Sequence, residues 1–257
     1  ARVALELVTL DRDTIDLGQD LVASGLLTAA LAVEPTLYAA LLIEMAALVS
    51  IPVLAPPGKP ASRGILRFIT FQTLGMPFIL LSGWLMPGVI TDPPNPFVMT
   101  AIVLLMLGFA LLIAIFPFHS WLISLAGEVN PYAAAFIFFL LLSTVSKFGI
   151  DFIYHLEWLR NYAPLYSILR LMGILMIFTG GLWAAFQRHL GRMMGFATMV
   201  EIGKALLALS LPGGLPLFFA MLLPRTVALA VWSLSLTVLQ SCPGNVAPRQ
   251  LDENEMR

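Results

Sequence analysis

The stretch from Tyr132 to His155 reads YAAAFIFFLLLSTVSKFGIDFIYH and places Lys147 and Asp151 among otherwise mostly apolar residues. About 20 consecutive apolar residues let a helix cross a bilayer, so this stretch predicts a transmembrane helix. A charge at bilayer depth costs about 2.5–3.5 kcal/mol on insertion scales, and it persists only where protein or trapped water receives it. We therefore expect these two charges, four residues apart on one helix face, to mark the functional region.

The composition of the whole chain agrees with a membrane environment. Hydrophobic residues make up 59% of its 257 residues and charged residues only 11%, which is typical of a chain that spans the bilayer repeatedly. The net charge of −1 favours neither nucleic acid nor acidic substrates, because the few charges are scattered or confined to loops. Cys242 is the only cysteine, and His119, His155 and His189 lie on separate segments, so we expect no disulfide, metal site or cofactor.

Apolar runs divide the chain into one doubtful and seven clear spans, separated by turn-rich loops. The doubtful span covers 18–33, and the clear ones cover 36–55, 64–86, 97–118, 131–155, 164–187, 193–211 and 214–240. The sequence thus predicts an all-α membrane protein, a polytopic bundle of about seven or eight transmembrane helices at 18–240. A polar N-terminal segment, 1–17, precedes it and a polar C-terminal tail, 241–257, follows. Since the chain does not begin with Met and shows no signal-peptide pattern, we expect an upstream piece.

The distribution of lysine and arginine predicts the orientation of the bundle. If the span at 18–33 is real, one side of the membrane collects Arg2, Arg12, Lys59, Arg63, Arg67, Arg188, Arg192, Arg249 and Arg257. The other side has Arg160 and, just inside a helix end, Arg170. Because cytoplasmic loops carry an excess of positive residues, both termini should face the cytoplasm.

Two prolines interrupt the apolar pattern. Pro117 lies in FPFHSWL, residues 116–122, where it removes a backbone donor and predicts a broken helix. We interpret His119, two residues further on, either as a proton-relay group or as an imidazole hydrogen-bonded at a helix end. Pro224 predicts a second helix break. Its neighbour Arg225 is expected to anchor an ion pair, because a guanidinium keeps its proton.

Further charges lie within the apolar spans. Burial in a medium of low polarity disfavours the charged forms of Glu44 and Lys147, so both are candidates for proton exchange in one intramembrane chain. A static ion pair is the alternative interpretation. Asp151 would instead favour the charged lysine, and the two titrations would be coupled. Glu201 and Lys204, three residues apart, share a helix face and are expected either to neutralise one another or to join the relay.

Together these residues resemble a known family, the antiporter-like membrane subunits of respiratory complex I, membrane-bound hydrogenases and multisubunit cation/proton antiporters. The family's broken helix carries P-[FL]-H-x-W-L, and residues 117–122 match it as PFHSWL. A helix with a mid-membrane lysine follows in the family, as Lys147 follows here, and Ile43-Glu44-Met45 is similar to the glutamate motif of an earlier helix. The stretch GRMMGFATM, residues 191–199, resembles the family's K-R-[LM]-[LI]-[AG]-[YF]-[ST]-[ST]-[IV].

The resemblance implies a proton half-channel built from a five-helix repeat, in which the glutamate tunes a proton-carrying lysine. It also implies other membrane subunits as partners, no redox centre in this chain, and an energy-transducing membrane such as a bacterial or archaeal plasma membrane. Two departures stand out. Leu112 occupies the position of a lysine in the family's broken helix. The chain also stops before the family's second broken helix, so the sequence predicts only half of the inverted repeat.

Three functions are open at this point. The first is a proton-translocating or proton-relay subunit of a complex I-like (NADH:quinone oxidoreductase), hydrogenase or cation/proton antiporter assembly, itself non-catalytic. The second is a non-conducting scaffold subunit of such a complex, which Leu112 favours. The third, a small-solute transporter, is disfavoured because two matched interrupted helices of an inverted pair are missing. H⁺ and Na⁺ both stay open as the ion, and so does the parent complex.

Overall fold

The fold is that of a computed structural model, which describes residues 18–34, 37–55, 61–85 and 96–241. Over these residues the chain is helical and has no strand. The helices are α1 (18–32), α2 (Leu37–Val49), α3 (Ile51–Leu54), α4 (Arg63–Leu85), α5 (Pro96–Leu112), α6 (Ser120–Glu128), α7 (Pro131–His155), α8 (Glu157–Arg160), α9 (Ala163–Phe186), α10 (Leu190–Leu209) and α11 (Leu215–Ser241). The polar segments expected at 1–17 and 241–257 lie outside the described residues, apart from Ser241.

Five helical segments are long and apolar enough to cross a membrane. They are Leu37–Leu54, which joins α2 and α3, and Arg63–Leu85, Pro131–His155, Ala163–Phe186 and Leu215–Leu239. Val98–Leu112 is apolar but shorter. In α10, the charged residues Arg192, Glu201 and Lys204 lower the mean hydropathy. The chain is therefore an all-α membrane protein, as predicted, while the total of seven or eight spans stays a prediction.

Helix α7 lies at the centre of the bundle. Its start follows from the sequence, because the Asn130 side chain accepts a hydrogen bond from the Tyr132 amide at 3.0 Å and Pro131 occupies the first turn, where a missing N–H costs nothing. Phe138, Leu142 and Val145 of α7 are fully buried. Packing against α11, α2, α5 and α6 encloses the helix, and this fixes the position of its two charged residues.

The N-terminus of α4 is capped by a distant side chain. The carboxylate of Glu128, at the end of α6, accepts a hydrogen bond from the Gly64 amide at 2.7 Å, and a negative charge there complements the positive end of the α4 dipole. Gly64 also packs so closely that an added Cβ would lie 2.8 Å from the Ser124 backbone. The Arg67 guanidinium donates to the Ser124 hydroxyl at 3.0 Å. Helix α6 is therefore pinned to α4 at one end of the bundle.

Glycines allow two further pairs of helices to cross at close range. An added Cβ on Gly108 of α5 would lie 2.9 Å from the Gly75 carbonyl oxygen of α4. Gly173 of α9 and Gly203 of α10 oppose each other in the same way, with an added Cβ on either one 2.8 Å from the carbonyl oxygen of the other. Lipid offers no hydrophobic drive for helix association, so close contact of small residues supplies much of the packing energy. These crossings hold the bundle together.

The helix break expected at Pro224 is wrong. Helix α11 runs through Pro224 without interruption, from Leu215 to Ser241. Helix α4 likewise contains Pro77. Membrane helices tolerate proline because neighbouring groups and small local adjustments satisfy the carbonyl that proline leaves free. A proline in an apolar run therefore does not by itself predict the end of a membrane helix.

Replacing Gly173 by alanine should lower the free energy of unfolding by about 1–3 kcal/mol, because the new methyl group meets the backbone of α10 rather than a flexible side chain. The matched control is Gly181→Ala on the same helix, where an added Cβ meets nothing within 4 Å. Alanine is the better helix former, so the control should not destabilise. Thermal unfolding in detergent micelles measures both variants, and equal losses would contradict the close crossing.

Candidate functional site

The broken helix lies between α5 and α6, around Pro117. Helix α5 ends at Leu112, residues 113–119 form turns, and α6 begins at Ser120. The end of α5 leaves carbonyl groups without intrahelical partners. The indole of Trp121 donates to the Leu111 carbonyl at 3.3 Å, and the Gln72 amide donates to the Leu112 carbonyl at 3.3 Å. Both donors are almost fully buried, so protein side chains satisfy the break from inside the bundle, as a non-aqueous environment requires.

His119 lies at the end of this break, at the position before α6. Its ring stacks on Phe116, with the centroids 5.6 Å apart. The Nδ1 atom is buried and has no hydrogen-bond partner among the described residues. Buried polar atoms are rarely left without a partner, and the exceptions concentrate at sites with a function or an ordered water. His119 therefore retains an open hydrogen-bonding position inside the bundle.

Lys147 and Asp151 form an ion pair within α7. The Lys147 ammonium donates to both carboxylate oxygens of Asp151, at 2.7 and 2.5 Å. The two side chains are 36% and 27% exposed in the isolated chain, so neither is sealed in the core. Ser143, one turn before Lys147, has a buried hydroxyl with no partner among the described residues. The charges are thus compensated within one helix turn, and a second polar group lies next to them along the same face.

A second ion pair lies in α10, where the Lys204 ammonium contacts the Glu201 carboxylate. Arg225 of α11 is near it and is only 5% exposed. Its guanidinium donates to the Phe138 carbonyl of α7 at 3.1 Å and is attracted electrostatically by Glu201. No ion pair within 4.0 Å joins Arg225 to any residue that the structure describes. The expected anchor is therefore a backbone carbonyl, with Glu201 acting from a longer distance.

Glu44 is partly buried on α2, beside the fully buried Ile43. Across the described ranges, no acceptor or donor within 4.0 Å pairs it with Lys147 or another charged side chain. The structure thus brings Lys147 together with Asp151, and Glu201 with Lys204, but leaves Glu44 apart. Sequence reasoning had treated Glu44 and Lys147 as members of one chain. Lys147 pairs with Asp151 because residues four apart on one helix lie close together however the helices pack. A pair between Glu44 and Lys147 would require α2 and α7 to pack with both side chains facing each other.

The sequence reading missed Gln72 and did not predict the burial of Trp121, which it used only as part of the PFHSWL motif. Gln72 is the one amide side chain in the apolar run RFITFQTLGM, residues 67–76, and this isolation is a usable signal because lipid offers an amide no partner. Trp121 lies near a helix start, where membrane-interface tryptophans are common, yet it is fully buried. No group of three or more metal-ligating side chains occurs among the described residues.

The fold and site define a class: a polytopic membrane protein with a broken helix and ion pairs inside its spans. Residues 88–241 match the family described as NADH:quinone oxidoreductase/Mrp antiporter, TM. This match covers more than half of the chain, and the chain belongs to that family. The resemblance drawn from the motifs around Pro117 and Lys147 is thereby confirmed.

Several curated proteins are similar to the chain. NADH-quinone oxidoreductase subunit N of Desulforudis audaxviator is 25% identical over 198 residues, which cover 70% of this chain and 39% of that protein. Formate hydrogenlyase subunit 3 of Escherichia coli is 33% identical over 105 residues, 40% of this chain and 17% of that protein. NAD(P)H-quinone oxidoreductase chain 4 of the Chaetosphaeridium globosum chloroplast is 26% identical over 167 residues, 60% and 33%. The matched part thus spans well under half of each relative.

Replacing Asp151 by leucine should destabilise the protein by about 2.5–3.5 kcal/mol, because it leaves the Lys147 ammonium uncompensated at bilayer depth. The double variant Lys147→Leu/Asp151→Leu should recover most of that loss, since it removes both charges together. Unfolding in micelles measures the cycle. A double variant as unstable as the single one would show that the pair contributes no compensation.

Proposed function

We propose that this chain is the proton-relay part of a membrane subunit in a complex I-like, hydrogenase or cation/proton antiporter assembly. The observation that carries the proposal is the Lys147–Asp151 pair, held inside a membrane-spanning helix yet about one-third exposed. Membership of the family supports it. A relay must reach a donor and an acceptor of protons, and this pair is exposed enough to do so.

The geometry suggests how a proton would move. The Lys147 ammonium carries the proton, and its bidentate contact with Asp151 holds it in place along α7. Release requires the ammonium to leave the carboxylate, and a turn of the flexible lysine stem achieves this without moving the helix. The free hydroxyl of Ser143 lies one turn away on the same face and can receive a hydrogen bond. We infer H⁺ as the ion, since the ammonium of Lys147 can carry a proton.

In this proposal, His119 and the Glu201–Lys204 pair of α10 exchange protons with the Lys147–Asp151 pair. The Nδ1 atom of His119 is free to exchange a proton at the broken helix, and an imidazole is suited to that task near neutral pH. In α10, the Glu201 carboxylate contacts the Lys204 ammonium and is attracted electrostatically by Arg225. Arg225 would still compensate the charge of Glu201 when the Lys204 ammonium moves away, which leaves Lys204 available for proton exchange. Glu44 would act on the relay through the field of its charge alone.

The Lys147→Leu/Asp151→Leu variant tests the proposal most directly, because it removes the relay while keeping charge compensation. In vesicles with the assembled complex, proton pumping should fall to the level of vesicles without the subunit, while assembly is unchanged. Arg188→Gln removes an exposed loop charge and is the matched control, with pumping preserved. Unchanged pumping in the double variant would refute the relay and leave the non-conducting scaffold. Glu201→Leu/Lys204→Leu extends the same test to α10.

The proposed orientation places both termini in the cytoplasm of a bacterial or archaeal cell. Cys242, the only cysteine, follows α11 and serves as a natural probe. A membrane-impermeant maleimide should label Cys242 in inverted vesicles but not in intact cells. In the control variant Cys242→Ala/Arg160→Cys, labelling should occur only in intact cells, because residue 160 lies at the opposite membrane surface. Labelling of both positions from the same side would exclude this topology.

A further inference from the structure

The last turn of α6 lies between the N-terminal ends of α4 and α10, at one end of the bundle. On the α4 side, an added Cβ on Gly64 would lie 2.8 Å from the Ser124 backbone. On the α10 side, an added Cβ on Gly191 would clash with the Ala126 carbonyl oxygen. The three helix ends are therefore in backbone contact, and the side chains around them share one surface of the molecule.

Two arginines, which we call the arginine patch, contact the outer side of this turn. Arg67 of α4 donates from its guanidinium to the Ser124 hydroxyl at 3.0 Å. Arg192 of α10 lies over Gly127, where an added Cβ would be 2.7 Å from the Arg192 Cγ atom and 3.1 Å from its Nε atom. Ser124 and Gly127 are both incompletely buried. Because they are three residues apart, they are neighbours on one helix face, about 5–6 Å from each other.

The arginine patch carries positive charge that no acid within ion-pair distance neutralises. Both of its side chains are exposed, and no ion pair within 4.0 Å joins either one to a residue in the described part of the chain. Glu128, at the end of α6, accepts the hydrogen bond from the Gly64 amide instead. Arg63 and Arg188 add exposed positive charge at the same end of the bundle. The patch is thus complementary to an anion.

Exposed apolar surface continues from the arginine patch along α4. Leu74 and Leu81 follow Arg67 at steps of seven residues, which is close to two helix turns, so the three residues lie along one face. Both leucines are exposed, and α4 is long and apolar enough to cross a membrane. An occupant with an anionic head and a hydrocarbon tail therefore matches the whole surface, whereas a small anion matches only its charged end.

We propose that the arginine patch binds the phosphate group of one anionic phospholipid, which bridges Arg67 and Arg192 over the last turn of α6. One acyl chain lies along Leu74 and Leu81 on the outside of α4. Arginine forms paired hydrogen bonds with phosphate, and basic sites between transmembrane helices bind the headgroups of anionic lipids. The lipid stays outside the bundle and touches no residue of the proposed relay, so this inference is independent of proton transport.

Native mass spectrometry of the purified chain in detergent micelles tests the proposal. Dioleoyl phosphatidylglycerol should be retained at one copy and about tenfold or more tightly than dioleoyl phosphatidylcholine, because each basic residue near an anionic lipid contributes about fivefold to binding. Arg67→Gln/Arg192→Gln should abolish this preference. The matched control Arg160→Gln/Arg170→Gln removes two exposed arginines near the start of α9 and should preserve it. Thermal unfolding checks that both variants fold.

The variant Gly127→Ala separates the position of Arg192 from its charge. The new methyl group would displace the flexible Arg192 stem while every arginine stays in the chain. The preference should fall about threefold or more, since paired hydrogen bonds to phosphate depend on geometry. A full preference in this variant would show that the patch acts through net charge alone, and it would overturn the bridging arrangement.

The unaltered protein distinguishes the sources of the anion. Dihexanoyl phosphatidylglycerol has the same headgroup, and it should bind about tenfold or more weakly because its short chains bury less hydrocarbon. Equal retention of the two dioleoyl lipids would overturn the proposal. Displacement of phosphatidylglycerol by an equal concentration of inorganic phosphate would reduce the patch to a contact for free anions and overturn it as well. Binding of hexaglutamate without any preference between the lipids would replace the lipid with an acidic protein segment.

Discussion

The broken helix around Pro117 depends on two hydrogen bonds from side chains to backbone carbonyls. In hydrocarbon each unsatisfied backbone group costs several kcal/mol, so an interrupted helix persists only where protein supplies the missing donors. The Trp121 indole and the Gln72 amide supply them to Leu111 and Leu112. Because Gln72 belongs to α4 and Trp121 to α6, these bonds fix the break relative to both helices. The position of His119 follows from that arrangement.

The intramembrane charges obey the same constraint in a different way. Each pair is closed within one helix, at spacings of four and three residues, so compensation does not depend on how the helices pack. Arg225 is the exception, since its partners lie on α7 and α10. It ties the peripheral α11 to the central α7. Leu112, at the end of α5, is fully buried and uncharged, so this position needs no compensating partner.

Much of the fold was predictable because apolar runs and turn-rich separators are local signals. Predicted spans such as 131–155 and 164–187 agree with α7 and α9 to within about one residue. The break was predictable from Pro117 in kind but not in extent, because α5 ends five residues earlier. The break predicted at Pro224 was wrong, since α11 continues through this proline.

For the site, i, i+4 and i, i+3 spacing predicts the two ion pairs. The Arg225–Phe138 contact and the separation of Glu44 from Lys147 depend on how each helix is rotated about its axis relative to its neighbours. That rotation cannot be predicted from the residues of one helix.

A rigid bundle and movable side chains are compatible here because different residues serve the two needs. Gly75, Gly108, Gly173 and Gly203 hold the helices at backbone contact, where a shift of an ångström would lose packing that lipid does not replace. The ion pairs need no such shift to open, since a lysine stem turns about its own bonds. Proton exchange in this chain would therefore proceed by side-chain rotation on fixed helices. A mechanism that moves whole helices would first have to break the glycine crossings.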